Sequence, residues 1–362
     1  MFPSKVAFVL PDLGGGGAQR TMLTLARGLD QARFSLHFIV VGVADEFADE
    51  APSTATIEQL KALRLRRALP GVIRSLSRLQ PKIVVSTMGY INLALLAAQP
   101  LLGRDVALVV REANVVQATL GALPRWLPGR QLYAWLYPRA AAVIAPTNNI
   151  AEEIALVASR ASERIVVMPN PVDEERLRAR AGTPLRAPGD GLALVAAGRL
   201  TRQKGFDRLI ALMPQLPGAR LTIFGEGPDR VALERQVYAL GIQDRVALPG
   251  FSSELPAAIA GADLLVLPSR WEGLPNVVLE SLALGTPVVA SEDAGVEEIA
   301  RMSAGTVTIA PVDYSFVDAI KRRRPATAPI ASPRQSLLPP TYRAEIVAAR
   351  LNDLLHSVAH AS

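Results

Sequence analysis

Short apolar runs recur along this chain of 362 residues, separated by longer stretches in which apolar positions return every three or four residues. The runs at 6–10, 36–41, 83–86, 107–110, 142–145 and 165–168 are almost continuously apolar. Strands of that kind are buried on both faces, which predicts a parallel sheet covered by helices. Runs at 193–196, 221–224, 246–248, 264–267, 288–290 and 307–309 repeat the design. The pattern therefore predicts an α/β chain with two doubly wound, parallel-sheet domains. Their boundary is expected near Asn170-Pro171-Val172-Asp173, so the domains read as 1–170 and 171–342, with a polar stretch at 176–191 leading into the next strand. Residues 322–340 carry Pro325, Pro329, Pro333, Pro339 and Pro340, which bars helix and inner strand there. Helical spacing resumes at Ile346, Val347, Leu351, Leu354 and Leu355, and predicts a terminal helix over 342–358 that packs back on a domain.

Half of the residues are hydrophobic and 20% are charged, enough apolar material for more than one core. No apolar run reaches the roughly 18 residues of a membrane-spanning helix, and the N-terminal segment lacks a secretory pattern. A soluble, cytoplasmic protein is the expectation. Zero cysteines exclude disulfides and thiolate metal sites. Only His37, His356 and His360 are present, which argues against a histidine-ligated metal centre or a Ser-His-Asp triad. The chemistry is left to carboxylates, cations and backbone.

The net charge of +6 is unevenly placed: residues 1–170 hold 18 Lys/Arg against 12 Asp/Glu, and residues 171–362 hold 21 of each. Lys61, Arg64, Arg66, Arg67, Arg74, Arg78 and Lys82 fall in a stretch without acids, interleaved with leucines. Such an amphipathic basic segment suits anionic lipid headgroups, although a solvated helix face accounts for it equally. Trp126 and Trp135, beside Tyr133 and Tyr137, add the aromatic residues that favour a membrane interface, and an ordinary packed helix explains the tyrosines as well.

Three loops carry the candidate chemistry. After the first strand, Gly14-Gly15-Gly16-Gly17 leads into a helix starting near Ala18, where backbone amides approach an anionic ligand closely. The dinucleotide fingerprint fails, because Gln19 or Arg20 occupies its third glycine position. After strand 193–196, Gly198, Arg199 and Lys204 lie at the carboxyl end of the sheet, and two cations there suit a diphosphate. After strand 264–267, the segment Pro268-Ser269-Arg270-Trp271-Glu272-Gly273-Leu274-Pro275-Asn276 opens a helix that carries Glu280. Pro275 reads as a first-turn proline. Glu272 and Glu280 are placed to grip different ends of one polyol ligand, while amides of Gly273 to Asn276 face an anion.

These pieces resemble a family 4 glycosyltransferase. The resemblance rests on Gly-Gly-Ala-Gln-Arg at 16–20, Asn170-Pro171-Val172-Asp173, Gly198-Arg199 with Lys204-Gly205, Phe224-Gly225-Glu226-Gly227-Pro228, Glu272 with Glu280, and Gly285-Thr286-Pro287-Val288-Val289-Ala290, in family order. It implies a retaining, nucleotide-sugar-dependent enzyme with two Rossmann-like domains facing a cleft, the arrangement called GT-B. It further implies an acceptor-binding first domain, joined by residues 343–362 through a crossing helix, and a donor-binding second domain. Arg199 and Lys204 are then expected at the donor diphosphate, Glu280 at the ribose, Glu272 at the donor sugar, and Gly198, Gly227, Gly273, Leu274, Pro275 and Asn276 around the donor. Gly15, Gly16 and Gly17 are expected near the phosphates and acceptor. Some members place a histidine near the sugar, where this chain has Arg111, Glu112, Ala113 and Asn114, so Arg111, Glu112 or Asn114 would serve. No Asp-x-Asp motif occurs, matching a metal-independent habit without cofactors. The expected partners are a nucleotide sugar (a UDP-sugar more than a GDP-sugar), a lipid-linked or oligosaccharide acceptor, and an anionic membrane surface. A UDP-sugar 2-epimerase shares this architecture but needs no acceptor, and the Arg-Lys and Glu-x7-Glu set favours transfer over it. A non-catalytic nucleotide-sugar or nucleic-acid-binding protein is disfavoured by the neutral second half and the lack of stacking aromatics.

Overall fold

The computed structural model describes residues 3–14, 16–44, 47–62, 65–103, 105–124, 126–325 and 330–360. The chain divides into two compact units, Met1–Pro171 with Ala344–Ser362, and Val172–Arg343. Each is built on one parallel sheet.

In unit 1 the strands are β1 (Ser4–Leu10), β2 (Phe34–Val40), β3 (Thr56–Gln59), β4 (Ile83–Thr87), β5 (Ala107–Arg111), β6 (Ala142–Ala145) and β7 (Ile165–Val167). Their order is β3-β2-β1-β4-β5-β6-β7, so the chain reverses direction across the sheet between β1 and β4. In β1, Val6, Phe8 and Leu10 enter one core while Ala7 and Val9 enter the other. This two-sided burial is what made the apolar runs continuous. The first core is closed by helix Gly17–Arg27 and by the C-terminal helix Ala344–His360, through Met22, Leu23, Val347, Leu351 and Leu355. Side chains fix that terminal helix: Asn352 accepts from the Asp30 amide and donates to the Gly28 carbonyl, each at 2.9 Å, and Arg350 donates to Val167 O at 2.6 Å. The second core is closed by helices Leu65–Leu79, Gly89–Ala98, Gly129–Leu136 and Asn148–Val157.

Strand β3 was not expected from the pattern. Its sequence Thr-Ile-Glu-Gln lies on the sheet edge, where Thr56 and Ile57 are exposed, so no apolar run marks it. Backbone pairing with β2 forms it, and His37 Nδ1 lies 2.6 Å from Thr56 Oγ1 across the pair.

Unit 2 holds β8 (Ala193–Ala197), β9 (Arg220–Phe224), β10 (Val246–Gly250), β11 (Leu264–Leu267), β12 (Val288–Ala290) and β13 (Val307–Ile309), in the order β10-β9-β8-β11-β12-β13. The supposed polar connector at 176–191 begins inside a helix, Glu174–Ala181, whose amide at Arg176 is capped by Asp173 Oδ1 at 3.1 Å. Beyond Arg324, the described part of the proline-rich stretch forms neither helix nor strand before Pro340. It is nonetheless anchored. Arg178 donates to the carbonyls of Ala283, Pro333 and Arg334 at 2.6, 3.0 and 2.7 Å, and Leu337 N donates to Leu282 O at 2.8 Å. No described helix is long and apolar enough to cross a membrane.

Candidate functional site

The carboxyl ends of β8 and β11 lie side by side in unit 2, which brings two distant loops together. Strand β8 ends at Ala197 and is followed by Gly198 and Arg199, with Arg199 exposed; a short turn, Arg202–Lys204, then presents Lys204. Gly205 follows with φ +67°, and a Cβ there would meet the Pro268 carbonyl at 2.1 Å, so only glycine lets the loops close to this distance. Gly227 plays a similar part, since a Cβ would meet Leu200 O at 2.3 Å. Lys204 Nζ reaches across to Glu272 Oε1 at 2.5 Å, and Ser269 Oγ donates to the same oxygen at 2.7 Å. Ser269 is fully buried, and Ser291 Oγ donates to its carbonyl at 2.5 Å. The Glu272 side chain is only 8% exposed, which keeps the ion pair in a poorly hydrated setting where charge counts for more than in water.

Further contacts brace the two loops against each other. Arg270 binds Asp207 with both nitrogens, at 2.8 and 2.7 Å, and its Nη1 also donates to Arg202 O at 2.8 Å. The Arg270 guanidinium holds the Asp207 carboxyl below its usual range. Gln203 Nε2 donates to Trp271 O at 3.0 Å, and Arg208 Nη2 donates to Pro268 O and Ser269 O at 2.5 and 3.0 Å. Gly273 and Leu274 are buried just before the helix Asn276–Ala283, in which Glu280 is the fifth residue and half-buried. Pro275 is the residue preceding the first turn, one position earlier than the sequence suggested. Arg199, Lys204, Glu272, Gly273, Leu274, Asn276 and Glu280 thus belong to one edge of unit 2. Ser269, Asp207, Gln203 and Ser291 were missed. The first three lie within or beside the recognised motifs but carry no charge pattern that announces their partners, and Ser291 has no sequence signal.

In unit 1 the loop after β1 turns through Asp12, whose Oδ1 accepts from Gly14 N and Gln19 Nε2, both at 2.9 Å. Gly16 precedes the helix that begins at Gly17, while Gly15 lies outside the described residues. Arg111 and Glu112, expected to meet a ligand directly, are 1% and 0% exposed. Arg111 donates to Asn170 Oδ1 and lies 3.5 Å from Thr87 Oγ1; burial brings its pKa down to about 10. Glu112 Oε1 accepts from Tyr137 OH and from Tyr133 OH at 3.1 Å. Those two phenols stack at 4.4 Å and are fully buried, so they support a carboxylate and do not meet a membrane. Asn114 is partly exposed and accepts from the Val115 amide at 2.9 Å. Arg111 and Glu112 therefore act as internal struts under the loop that carries Asn114.

Two parallel Rossmann-like sheets, one ending in a Lys-Glu pair between glycine-shaped loops, define the class of two-domain glycosyltransferases built in the GT-B manner. A family model described as "Glycosyltransferase Family 4" matches residues 15–176, and one described as "Glycosyl transferases group 1" matches residues 183–322. The chain belongs to this family. It is similar to the lipopolysaccharide core biosynthesis glycosyltransferase LpsE of Rhizobium meliloti, 32% identical over 153 residues, 42% of this chain and 44% of that one. It also resembles the 2-deoxystreptamine glucosyltransferase of Streptomyces kanamyceticus, 30% identical over 172 residues, 43% of this chain and 44% of that protein. The chain spans less than half the length of these curated relatives. Among solved structures, Anabaena HepE in complex with UDP and glucose has the same fold, with a TM-score of 0.77 at 18% identity over 98% of this chain and all of that one. Sucrose-phosphate synthase from Thermosynechococcus elongatus matches with a TM-score of 0.77 at 18% identity, over 99% of this chain and 100% of that chain.

The Glu112 cluster gives a testable consequence for stability. Burial pushes the Glu112 carboxyl above its ordinary value of 4.5 against the tyrosine bonds that pull it down. The folded state thus keeps this proton to a higher pH than the unfolded chain does. The resulting stability is fully present below the unfolded pKa and is lost as pH rises through the folded one. Urea unfolding should show Glu112→Gln gaining on the wild type as pH rises from about 4.5 to 8. Glu112→Ala should cost about 1–3 kcal/mol for each phenol left without an acceptor. Parallel pH profiles for wild type and Glu112→Gln would contradict the reading.

Proposed function

We propose that this protein is a retaining glycosyltransferase that moves a hexose or N-acetylhexosamine from a UDP-sugar onto a lipid-linked or saccharide acceptor in cell-surface glycan synthesis. The observation that carries the reading is the Lys204–Glu272 pair at 2.5 Å, set beside exposed Arg199 and the start of helix Asn276–Ala283. In this reading Arg199 and Lys204 neutralise the donor diphosphate, and amides from Gly273 to Asn276 bind its oxygens. Glu280 accepts hydrogen bonds from the ribose hydroxyls. Glu272, its Oε1 already taken by Ser269 and Lys204, turns its other oxygen to a sugar hydroxyl. Preorganised cations and amides stabilise the charge that grows on the departing diphosphate. The acceptor attacks the same face of the sugar that the diphosphate leaves, and a phosphate oxygen takes the acceptor proton. The lack of an Asp-x-Asp motif supports a reaction that needs no metal. The UDP and glucose in HepE, and the polysaccharide role in the name of LpsE, support the donor and the pathway type.

The acceptor role falls to unit 1, acting at the cytoplasmic face of a membrane. On helix Leu65–Leu79 the apolar residues Val72 and Leu76 are spent on the core, while Arg66, Arg67 and Arg74 are exposed; Arg78 is paired with Glu58 at 2.7 Å. Arg64 lies outside the described residues. The attraction is therefore electrostatic, joined by Trp126 and Trp135, which are 80% and 64% exposed.

Two measurements test these statements. In a thermal-shift panel, UDP and UDP-sugars should raise the melting temperature by several degrees at saturating concentration, more than GDP, ADP or dTDP counterparts; no response to any nucleotide would sink the donor reading. Cosedimentation with phosphatidylglycerol-containing vesicles should be strong at low salt, lost at about 0.5 M salt, and weakened by the triple change Arg66→Glu, Arg67→Glu, Arg74→Glu. No salt-sensitive binding to these vesicles would remove the membrane from the account.

A further inference from the structure

Two of the three histidines sit one helical turn apart at the end of the C-terminal helix Ala344–His360. Three histidines in the chain argue against a histidine-ligated metal centre by number alone, but the helix brings two of them to one place. His356 and His360 are both exposed, on the face opposite buried Leu355 and Val358. Their ring centroids are 4.2 Å apart with the planes tilted by 47°. His360 Nδ1 lies 2.8 Å from the His356 carbonyl oxygen. A carbonyl only accepts, so Nδ1 carries the proton and the lone pair of His360 stays at Nε2, pointing away from the backbone. A backbone carbonyl that fixes the tautomer in this way is the usual support of a metal-binding imidazole. Histidines at i and i+4 on one helix face also have the spacing by which helical zinc sites present two ligands to one ion.

We propose that His356 and His360 form a chelating site for a divalent transition-metal ion of the Zn(II), Ni(II) and Cu(II) class. Among the described residues no group of three His, Cys, Asp or Glu side chains converges, so two imidazole nitrogens supply the protein ligands and water completes the coordination. The preference follows ligand softness and the Irving–Williams order, with Cu(II) held most tightly and Mg(II) or Ca(II) ignored. The ion bridges the last turn of the helix on its solvent side, and the opposite side of that turn carries Val358, which is 7% exposed and belongs to the core under β1. Binding is thereby coupled to the packing of the helix end and stabilises unit 1 by mass action.

The test is isothermal titration of the full chain with ZnCl2, NiCl2 and CuCl2 in a non-chelating buffer, together with electron paramagnetic resonance of the copper-loaded protein. The expected result is one ion per chain, with affinity lowered at least about tenfold by His356→Gln and by His360→Gln separately, and unchanged by His37→Gln. The copper spectrum should lose one nitrogen ligand in either variant, and MgCl2 should give no binding. Because both side chains are exposed, neither substitution threatens folding, and circular dichroism checks this directly. The proposal is overturned if the wild type binds none of the three ions at millimolar concentration, or if binding survives intact in either variant.

Discussion

A carboxylate and an ammonium held 2.5 Å apart, both largely shut off from water, are the constraint around which the edge of unit 2 is arranged. Taking two charges out of water is costly, and a buried pair holds only when its geometry is good and its remaining bonds are made. Here Ser269, fixed in turn by Ser291, gives Glu272 its second hydrogen bond. The Arg270–Asp207 fork, the Gln203–Trp271 bond and the Arg208 contacts keep the two loops from drifting. Losing one partner would leave an uncompensated charge. With both partners in place, the pair presents a carboxylate and a cation held in one fixed arrangement at the edge of the sheet.

Unit 1 solves the opposite problem with the same materials. Arg111 ends strand β5 and Glu112 follows it, but neighbouring Asn170, Tyr133 and Tyr137 enclose them. Charged groups at a strand end usually face solvent; these two are retained inside because their partners come from three other elements. Their effect on any ligand is then indirect, through the loop that follows them. A metal held by the two histidines at the far end of helix Ala344–His360 would act through the packing of that helix on unit 1.

The legible parts of the fold were those whose physics is local. Continuous apolar runs marked twelve strands, and the clearest of them, β4, β5, β6, β8, β11 and β12, are inner strands whose two faces a parallel sheet buries. Strand β3 escaped because edge residues Thr56 to Gln59 need no apolar character to pair with β2. Helix Glu174–Ala181 escaped because it buries only Leu177 and Ala181 and is otherwise charged. The glycines at 198, 205 and 227 were readable as loop residues, and the structure shows why: at 205 and 227 a neighbouring carbonyl occupies the space of a Cβ. Pairings such as Arg270 with Asp207, 63 residues apart in sequence, or Ser291 with Ser269, have no local signature. The burial of Glu112 was unreadable for the same reason, since a charged residue reads as surface until its partners are known.

The central claim is that Glu272 recognises the sugar while Lys204 and Arg199 hold the diphosphate. The direct measurement is calorimetric binding of UDP and of the UDP-sugar that stabilises the protein most, to wild type and to Glu272→Gln. The account predicts that UDP affinity changes by no more than a few-fold, while the extra affinity and the turnover contributed by the sugar are lost. Full turnover of the UDP-sugar by Glu272→Gln would contradict it.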